Sequence, residues 1–140
     1  MILPKIIEIS EFGNDQMGYL HVGSYKNGLP FEIKRVFWTF DTPTNISRGR
    51  HAHHETEMVL FCLSGAIKVK TICTDGQEFF FTLHGKSNKG LYIPKMVWHE
   101  MWYDSIETIQ LVATSTHYEE SDYIRNFQDF IALSEGGKSA

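Results

Sequence analysis

The stretch Arg48-Gly-Arg-His-Ala-His-His-Glu-Thr-Glu57 concentrates side chains that can transfer protons or bind metals, and the apolar run 58–63 follows it. That run is short and Gly65 comes soon after it, so it predicts a β-strand rather than a surface helix. Side chains on a strand alternate between two faces, so His51 and His53 project to the same side. The sequence therefore predicts two imidazoles that face one interior.

Size and charge limit the possible functions. The chain has 140 residues, 42% of them hydrophobic, which suits one domain with one core. A formal net charge of −4 gives no general attraction to nucleic acid or anionic lipid, so neither is an expected partner. No stretch approaches the ~18 apolar residues of a membrane span, and the N-terminus does not resemble a secretory signal. We therefore expect a cytoplasmic protein, with Cys62 and Cys73 as buried, reduced thiols.

Short β-type segments separated by turn residues run from position 5 to position 116. Strands at this spacing, without helical patterns between them, predict an all-β antiparallel sandwich or barrel. The Thr-Asp-Gly sequence at positions 74–76 is the clearest hairpin signal.

Helical spacing of apolar residues appears only near the C-terminus. Ser121 and Asp122 are the candidate caps for this segment, and Phe127 and Phe130 recur within it at helical spacing. We predict one domain over residues 1–134 that ends in a short helical segment, and a disordered tail over residues 135–140.

Residues 58–63 are apolar at both parities, so the strand they form is apolar on both faces. One face would line the barrel. The other must be covered by a second sheet or subunit, because an exposed apolar face of that size favours aggregation. The sequence therefore predicts a homodimer.

The spacing of His51, His53 and Glu57, followed downstream by a glycine, a proline and His99, resembles the two motifs of the cupin superfamily. The resemblance implies a double-stranded β-helix barrel in which these four side chains converge, but not which reaction they serve. Three histidines and a carboxylate would suit Fe(II), Mn(II), Ni(II) or Zn(II). The same imidazoles, with a reference pKa of about 6.5, could instead take and give protons near pH 7.

A more specific resemblance covers nearly the whole chain. It rests on five blocks in order: Phe31-Glu-Ile-Lys-Arg-Val36, Arg48-Gly-Arg-His-Ala-His53, Gly90-Leu-Tyr-Ile-Pro94, Val97-Trp-His-Glu-Met101 and Asp122-Tyr-Ile-Arg125. These resemble the dTDP-4-oxo-6-deoxy-glucose 3,4-ketoisomerases, the WxcM-like sugar cupins. The resemblance implies a cytoplasmic homodimeric enzyme, without metal or other cofactor, that moves the keto group of a dTDP-linked 4-oxo-6-deoxyhexose from C4 to C3. Its product would supply an aminotransferase and then an acetyltransferase, giving a 3-acetamido sugar for a surface glycan such as lipopolysaccharide.

The resemblance implies that His51 and His53 are the catalytic pair. A base removes the proton on C3, the charge spreads over an enediolate, and a proton returns at C4, so two neighbouring imidazoles can serve the whole transfer. Arg48 is the nearest cation for the enediolate. Strict alternation would place it on the opposite face, and we predict that Gly49 permits a β-bulge that corrects this.

Four further residues are predicted to contact substrate. Arg35 could bind the diphosphate in a bidentate manner, or be an ordinary paired strand arginine. Glu57 is expected to orient a histidine, and Trp98 to stack on thymine or sugar unless it belongs to the core. His99 would line the sugar end, and since the family has histidine or arginine there according to the C4 configuration, it favours the galacto-configured product.

Two departures from the family pattern and two alternative functions remain. Phe37 and Trp38 stand where relatives usually carry tyrosines, and Met17 stands where they often have a polar or basic residue. The alternatives are a metal-dependent cupin oxygenase or isomerase, and a non-catalytic sugar-binding cupin.

Overall fold

The computed structural model describes residues 1–138, about half of them in β-strands that pair almost entirely in the antiparallel sense. In chain order the elements are β1 (Lys5–Glu8), β2 (Ser10–Asn14), β3 (Gly18–Val22), β4 (Ser24–Tyr25), β5 (Gly28–Leu29), β6 (Arg35–Thr39), β7 (Arg48–His53), β8 (Met58–Ser64), β9 (Ala66–Ile72), β10 (Glu78–His84), β11 (Lys89–Ile93), β12 (Trp98–Tyr103), β13 (Ile109–Thr114), a 3-10 helix (Glu120–Asp122), β14 (Tyr123–Ile124) and α1 (Phe127–Lys138).

Two five-stranded antiparallel sheets pack face to face. The first has the strand order β1-β11-β8-β13-β6 and the second the order β10-β9-β12-β7-β14. Alternate residues of both sheets point inward and form the main core. Its members are Met58, Leu60, Cys62, Ile67, Val69, Cys73, Leu83, Leu91, Ile93, Val97, Met101, Tyr103 and Val112. The predicted all-β sandwich is therefore confirmed.

Two local predictions, the hairpin turn and the buried thiols, are also confirmed. The turn at positions 74–76 connects β9 to β10, and Gly76 adopts a φ of +86° there. Both Cys62 and Cys73 are buried free thiols. Within residues 1–138, no helix is long and apolar enough to cross a membrane.

The outer face of β8 is covered differently from the prediction. Val59 is fully buried there, in a cluster with Leu29, Phe31 and Tyr92 of the same chain. Leu29 and Phe31 of the chain itself therefore cover this face at Val59, where a second sheet or subunit was expected, whereas Leu63 at the other end of the strand is 51% exposed.

The C-terminal helix covers the outer face of the second sheet. Phe130 is completely buried there against Ala52, which lies between His51 and His53 in sequence, and against Trp98, which precedes His99. Asn126, rather than Ser121 or Asp122, provides the cap: its side-chain oxygen accepts a hydrogen bond from the Asp129 N–H at 3.1 Å. The cap prediction was wrong because Ser121 and Asp122 belong to a separate 3-10 helix. Helix α1 runs on to Lys138 and so includes part of the predicted tail, whose residues 139–140 lie outside the described residues.

A β-bulge interrupts β7 at Gly49 and Arg50. On β12, His99 pairs with His51 and Glu100 pairs with Gly49, so that Arg50 is the extra residue. Gly49 and Arg50 both have positive φ, +79° and +60°. The predicted bulge is confirmed, and it brings Arg48 to the same cavity as His51.

We predict that Gly49→Ala destabilises the protein more than Gly76→Ala does. Both alanines would adopt a left-handed conformation, which costs roughly 1–2 kcal/mol. At Gly49 the new Cβ would also lie 3.0 Å from the His99 carbonyl oxygen and from Met101 Sδ, whereas at Gly76 nothing in the described part of the chain lies within 4 Å. Urea unfolding of both variants measures the difference, and equal losses would contradict the close approach at Gly49.

Candidate active site

Three imidazoles meet between the sheets. His51 and His53 lie on β7 and His99 on β12. The ring centroid of His51 is 4.9 Å from that of His53 and 4.5 Å from that of His99. The alternation of β7 sends the intervening Ala52 to the outer face beneath α1. The prediction that His51 and His53 share one side is therefore confirmed.

Each histidine of the β7 pair has its Nδ1 atom held by an acceptor. The Gly49 carbonyl oxygen lies 3.0 Å from Nδ1 of His51, and Asp122 Oδ2 lies 2.9 Å from Nδ1 of His53. Because a carbonyl or carboxylate oxygen only accepts, both Nδ1 atoms carry the hydrogen. In the neutral rings the lone pair is then on Nε2, and Nε2 of His53 is buried with no hydrogen-bond partner among the described residues.

Asp122 is the carboxylate that orients His53. It also accepts hydrogen bonds from the Thr56 hydroxyl and from the Glu55 N–H, the latter at 2.7 Å. Burial alone would raise the pKa of Asp122, but the hydrogen bonds from Thr56, Glu55 and His53 lower it below the usual value. Asp122 is therefore ionised near pH 7 and orients the His53 ring through its Nδ1 atom.

Burial keeps the histidines neutral. Burial, and next the neighbouring His53, lower the pKa of His51 to about 4. Burial also lowers the pKa of His53, although Asp122 opposes this, and it lowers the pKa of His99 well below its usual value. All three imidazoles are uncharged near pH 7 and can accept a proton.

An inner cavity of about 70 Å³ adjoins two of these rings. Arg48, His51 and His99 line it on the side of the second sheet, and Phe37 and Gln110 line it on the side of the first. Arg48 thus lies where the sequence analysis expected it. The Phe37 ring contributes no hydroxyl group to this cavity, in keeping with the noted departure from the family.

Arg35 lies beside the histidine site and is already engaged with protein groups. Its Nε donates to the Thr114 hydroxyl at 3.1 Å, and its Nη1 is 3.4 Å from the Tyr123 hydroxyl. The Tyr123 ring centroid is 4.4 Å from that of His53. The position suits a substrate contact, and the predicted diphosphate role stays a prediction.

A second arginine lies beside Tyr123, at the opening of the histidine site that we call its mouth. Arg125 forms a two-pronged ion pair with Glu120, at 2.7 and 3.0 Å, and its guanidinium lies 4.2 Å from the centroid of the Tyr123 ring. Its charge contributes to the lowered pKa of both His51 and His53. Arg35 and Arg125 therefore flank Tyr123 beside the imidazoles.

The prediction for Glu57 was wrong. Its carboxylate accepts a hydrogen bond from the Tyr92 hydroxyl at 2.5 Å, and Tyr92 packs on the outer face of the first sheet with Val59. Glu57 has the same parity as Val59, so it points away from the histidines. Asp122 instead performs the orienting role.

Trp98 faces away from the histidines. Trp98 is adjacent to His99 on β12, and alternation sends it to the opposite face. It is buried beneath α1, with its ring centroid 5.1 Å from that of Phe127. Of its two sequence interpretations, substrate stacking and core, the structure supports the core.

Thr56, Asp122, Tyr123 and Gln110 are site residues that no sequence pattern indicated as such. The block that begins at Asp122 contributed to the family resemblance, but Asp122 was predicted only as a helix cap, because only the pairing of β14 with β7 brings the block to the histidines. That pairing places Tyr123 opposite His53, although the two residues are far apart in the sequence. No local pattern marks Gln110.

The arrangement defines a class: a cupin-type antiparallel sandwich with a neutral, histidine-lined interior. The chain belongs to the family described as FdtA: WxcM-like, C-terminal, whose profile matches residues 3–135.

Characterised relatives agree with this assignment. The TDP-4-oxo-6-deoxy-alpha-D-glucose-3,4-oxoisomerase of Aneurinibacillus thermoaerophilus is 36% identical over 126 residues, which cover 90% of this chain and 88% of that protein. A mutant of the 3,4-ketoisomerase QdtA from Thermoanaerobacterium thermosaccharolyticum, in complex with TDP-4-keto-6-deoxyglucose, matches with a TM-score of 0.87 and 32% identity, over 95% of this chain and 94% of that chain. A 3,4-ketoisomerase from Helicobacter canadensis matches with a TM-score of 0.87 and 31% identity, over 94% of this chain and 97% of that chain.

We predict that Asp122→Asn lowers the pKa of His53 further, because the carboxylate that favours the charged imidazole is lost. Nitrogen NMR of the imidazoles measures both this pKa and the Nδ1–H tautomer, which the variant should hold less strictly. Asp104→Asn is the matched control, since Asp104 accepts hydrogen bonds from Thr108 and the Ala66 N–H outside this site. An unchanged His53 titration in Asp122→Asn would contradict the assigned pairing.

Proposed function

We propose that the protein is a sugar-nucleotide 3,4-ketoisomerase that converts dTDP-4-oxo-6-deoxy-glucose to a dTDP-3-oxo-6-deoxyhexose. The observation that carries this proposal is the pair of neutral imidazoles of His51 and His53, 4.9 Å apart, each held through Nδ1 so that Nε2 is the proton acceptor. The names of the relatives, which are 3,4-oxoisomerases and 3,4-ketoisomerases, support the same reaction.

The reaction needs only proton transfers. An imidazole Nε2 takes the proton from C3, and the electrons of the C–H bond form a C3–C4 double bond while the C4 ketone becomes an enolate oxygen. The proton of the 3-hydroxyl moves to that oxygen, C3 becomes the ketone, and the proton held by imidazole goes to C4. His51 and His53 act jointly as base and acid, and two adjacent rings can serve adjacent carbons and their oxygens.

The negative charge of the enediolate needs a nearby cation. Arg48 lines the cavity together with His51 and His99 and is the proposed partner of this charge. Arg35 is proposed to contact the diphosphate, where a guanidinium offers two parallel hydrogen bonds. Its place beside Tyr123 at the mouth of the site supports this role.

The proposed mechanism uses no metal. The predicted set of four metal ligands includes Glu57 as its carboxylate, and Glu57 is bonded to Tyr92 on the opposite face. Among residues 1–138, no three His, Cys, Asp or Glu side chains form a group that could hold a metal ion. The imidazole lone pairs would then be available for proton transfer rather than for coordination.

The proposal extends to the product and its use. We assign a galacto-configured product on the ground that the buried His99 occupies the position that varies with C4 configuration in the family. The product would supply an aminotransferase in the cytoplasm and then a 3-acetamido sugar for a surface glycan such as lipopolysaccharide. Two buried reduced thiols suit that compartment.

We also propose a homodimer, on different grounds from those in the sequence. The outer face of the edge strand β6 exposes Val36 and Trp38, by 52% and 59%, and Phe40 just beyond it by 63%. The hairpin of β2 and β3 exposes Phe12 and Leu20, by 60% and 58%. An edge strand with an apolar face favours association with a second copy of the chain.

We predict that His51→Asn and His53→Asn each lower kcat by about 100-fold or more while nucleotide-sugar binding persists, since each variant removes a general acid or base. NMR of the product formed from dTDP-4-oxo-6-deoxy-glucose measures the rate, the position of the ketone and the C4 configuration. Wild-type activity should survive a chelator. Near-normal turnover in both variants would contradict the mechanism, and stoichiometric metal whose removal abolishes turnover would support the metal-dependent alternative.

We predict that the wild-type protein sediments as a dimer and that Trp38→Glu shifts it toward monomer, because the charge would be buried in the interface. Phe80→Glu is the matched control: Phe80 is 71% exposed on β10, which belongs to the other sheet. A stable monomer of the wild type at micromolar concentration would refute the dimer.

A further inference from the structure

Gln110 presents an unexplained polar atom inside the sandwich. It lies on β13 with 3% of its surface exposed, and its Oε1 atom has no hydrogen-bond partner within the described part of the chain. A buried amide oxygen without a partner lowers stability, and native proteins rarely retain one without a reason. An aliphatic residue of similar size would suit the neighbouring Leu60 and Val112 better.

The cavity beside Gln110 leads directly to the proposed chemistry. Gln110, Arg48, His51 and His99 line the same space of about 70 Å³. Phe37 forms another part of its wall, and a phenyl ring cannot donate a hydrogen bond to the amide oxygen. A molecule that reaches into this space would meet the Gln110 side chain and can supply the donor that Oε1 lacks when the amide turns toward it.

The chemistry of the proposed substrate identifies that donor. In a 4-oxo-6-deoxyhexose linked through O1, only the 2- and 3-hydroxyls can donate. The 3-hydroxyl must give up its proton during the reaction, and an amide oxygen is too weak a base to share in that transfer. The amide oxygen of Gln110 can accept a hydrogen bond from a hydroxyl group but cannot take its proton. It therefore suits the 2-hydroxyl, which does not react.

We infer that Gln110 accepts a hydrogen bond from the 2-hydroxyl of the sugar and thereby makes the enzyme selective for 2-hydroxylated substrates. The inference rests on the proposed function and extends it to a residue and a substituent. Through this contact C3 is held in place beside His51. Gln110 is thus a specificity-determining and positioning residue that takes no part in the proton transfers.

A comparison of two ligands in two proteins tests the contact. The ligands are dTDP-6-deoxyglucose, which lacks the ketone and cannot isomerise, and its 2-deoxy counterpart. We expect the wild type to bind the first about 10-fold more tightly by calorimetry, and Gln110→Leu to bind the two nearly equally. Stability against urea should be unchanged or higher in Gln110→Leu, because a buried atom without a partner is removed.

Cys62→Ala provides the matched control. Cys62 is buried and pairs in register with Gln110 on the neighbouring strand, but it does not line the cavity. It should lower stability and leave the preference for the 2-hydroxylated ligand unchanged.

Three results would overturn the inference: equal binding of both ligands by the wild type, an unchanged preference in Gln110→Leu, or an equal loss of affinity for both ligands in that variant. The first two would mean that Gln110 holds only water, and the third that its role is structural. The binding ratio requires no turnover. A protein that shows the ratio but forms no 3-oxo product would therefore refute the proposed isomerase while the contact to the 2-hydroxyl stands.

Discussion

The antiparallel register of β7 and β12 is the constraint on which the site depends. It sets His51 opposite His99 inside the sandwich and sends Ala52 and Trp98 outward beneath α1. A shift of one residue in either strand would turn that strand's histidines to the outer face. A shift in β12 would also turn Trp98 inward, between the two sheets. The helix is therefore part of the site's support, since packing on Trp98 and Ala52 fixes this register from outside.

The same register places the imidazoles between the two sheets, and their protonation state follows from their burial there. Burial favours the neutral rings and so preserves proton acceptors near pH 7, but it also makes each ring a weaker base. The hydrogen-bond partners of His51 and His53 offset this loss of basicity to different degrees. A neutral carbonyl holds His51, whereas an ionised carboxylate holds His53, so the positive charge formed on proton uptake is better stabilised at His53.

The face of the strand on which a side chain lies decides which site residues could be predicted from local sequence. The pair His51 and His53 follows from i and i+2 spacing, and the turn at positions 74–76 follows from its residue types, so both were predictable. Arg48 required a bulge, which Gly49 indicated. Trp98 and Glu57 carry the correct residue types for a sugar site, yet their parity places them on outer faces, and parity depends on which face the fold buries.

The sequence by itself determined the fold class, the family blocks and the imidazole pair, because those depend on local spacing and residue type. Tertiary structure decided which partner each imidazole has. Asp122 reaches His53 only because β14 adds to the edge of β7, and Gln110 reaches the cavity of His51 only because the two sheets face each other. Such contacts join residues far apart in the chain, and they depend on strand pairing and sheet packing, which no local pattern encodes.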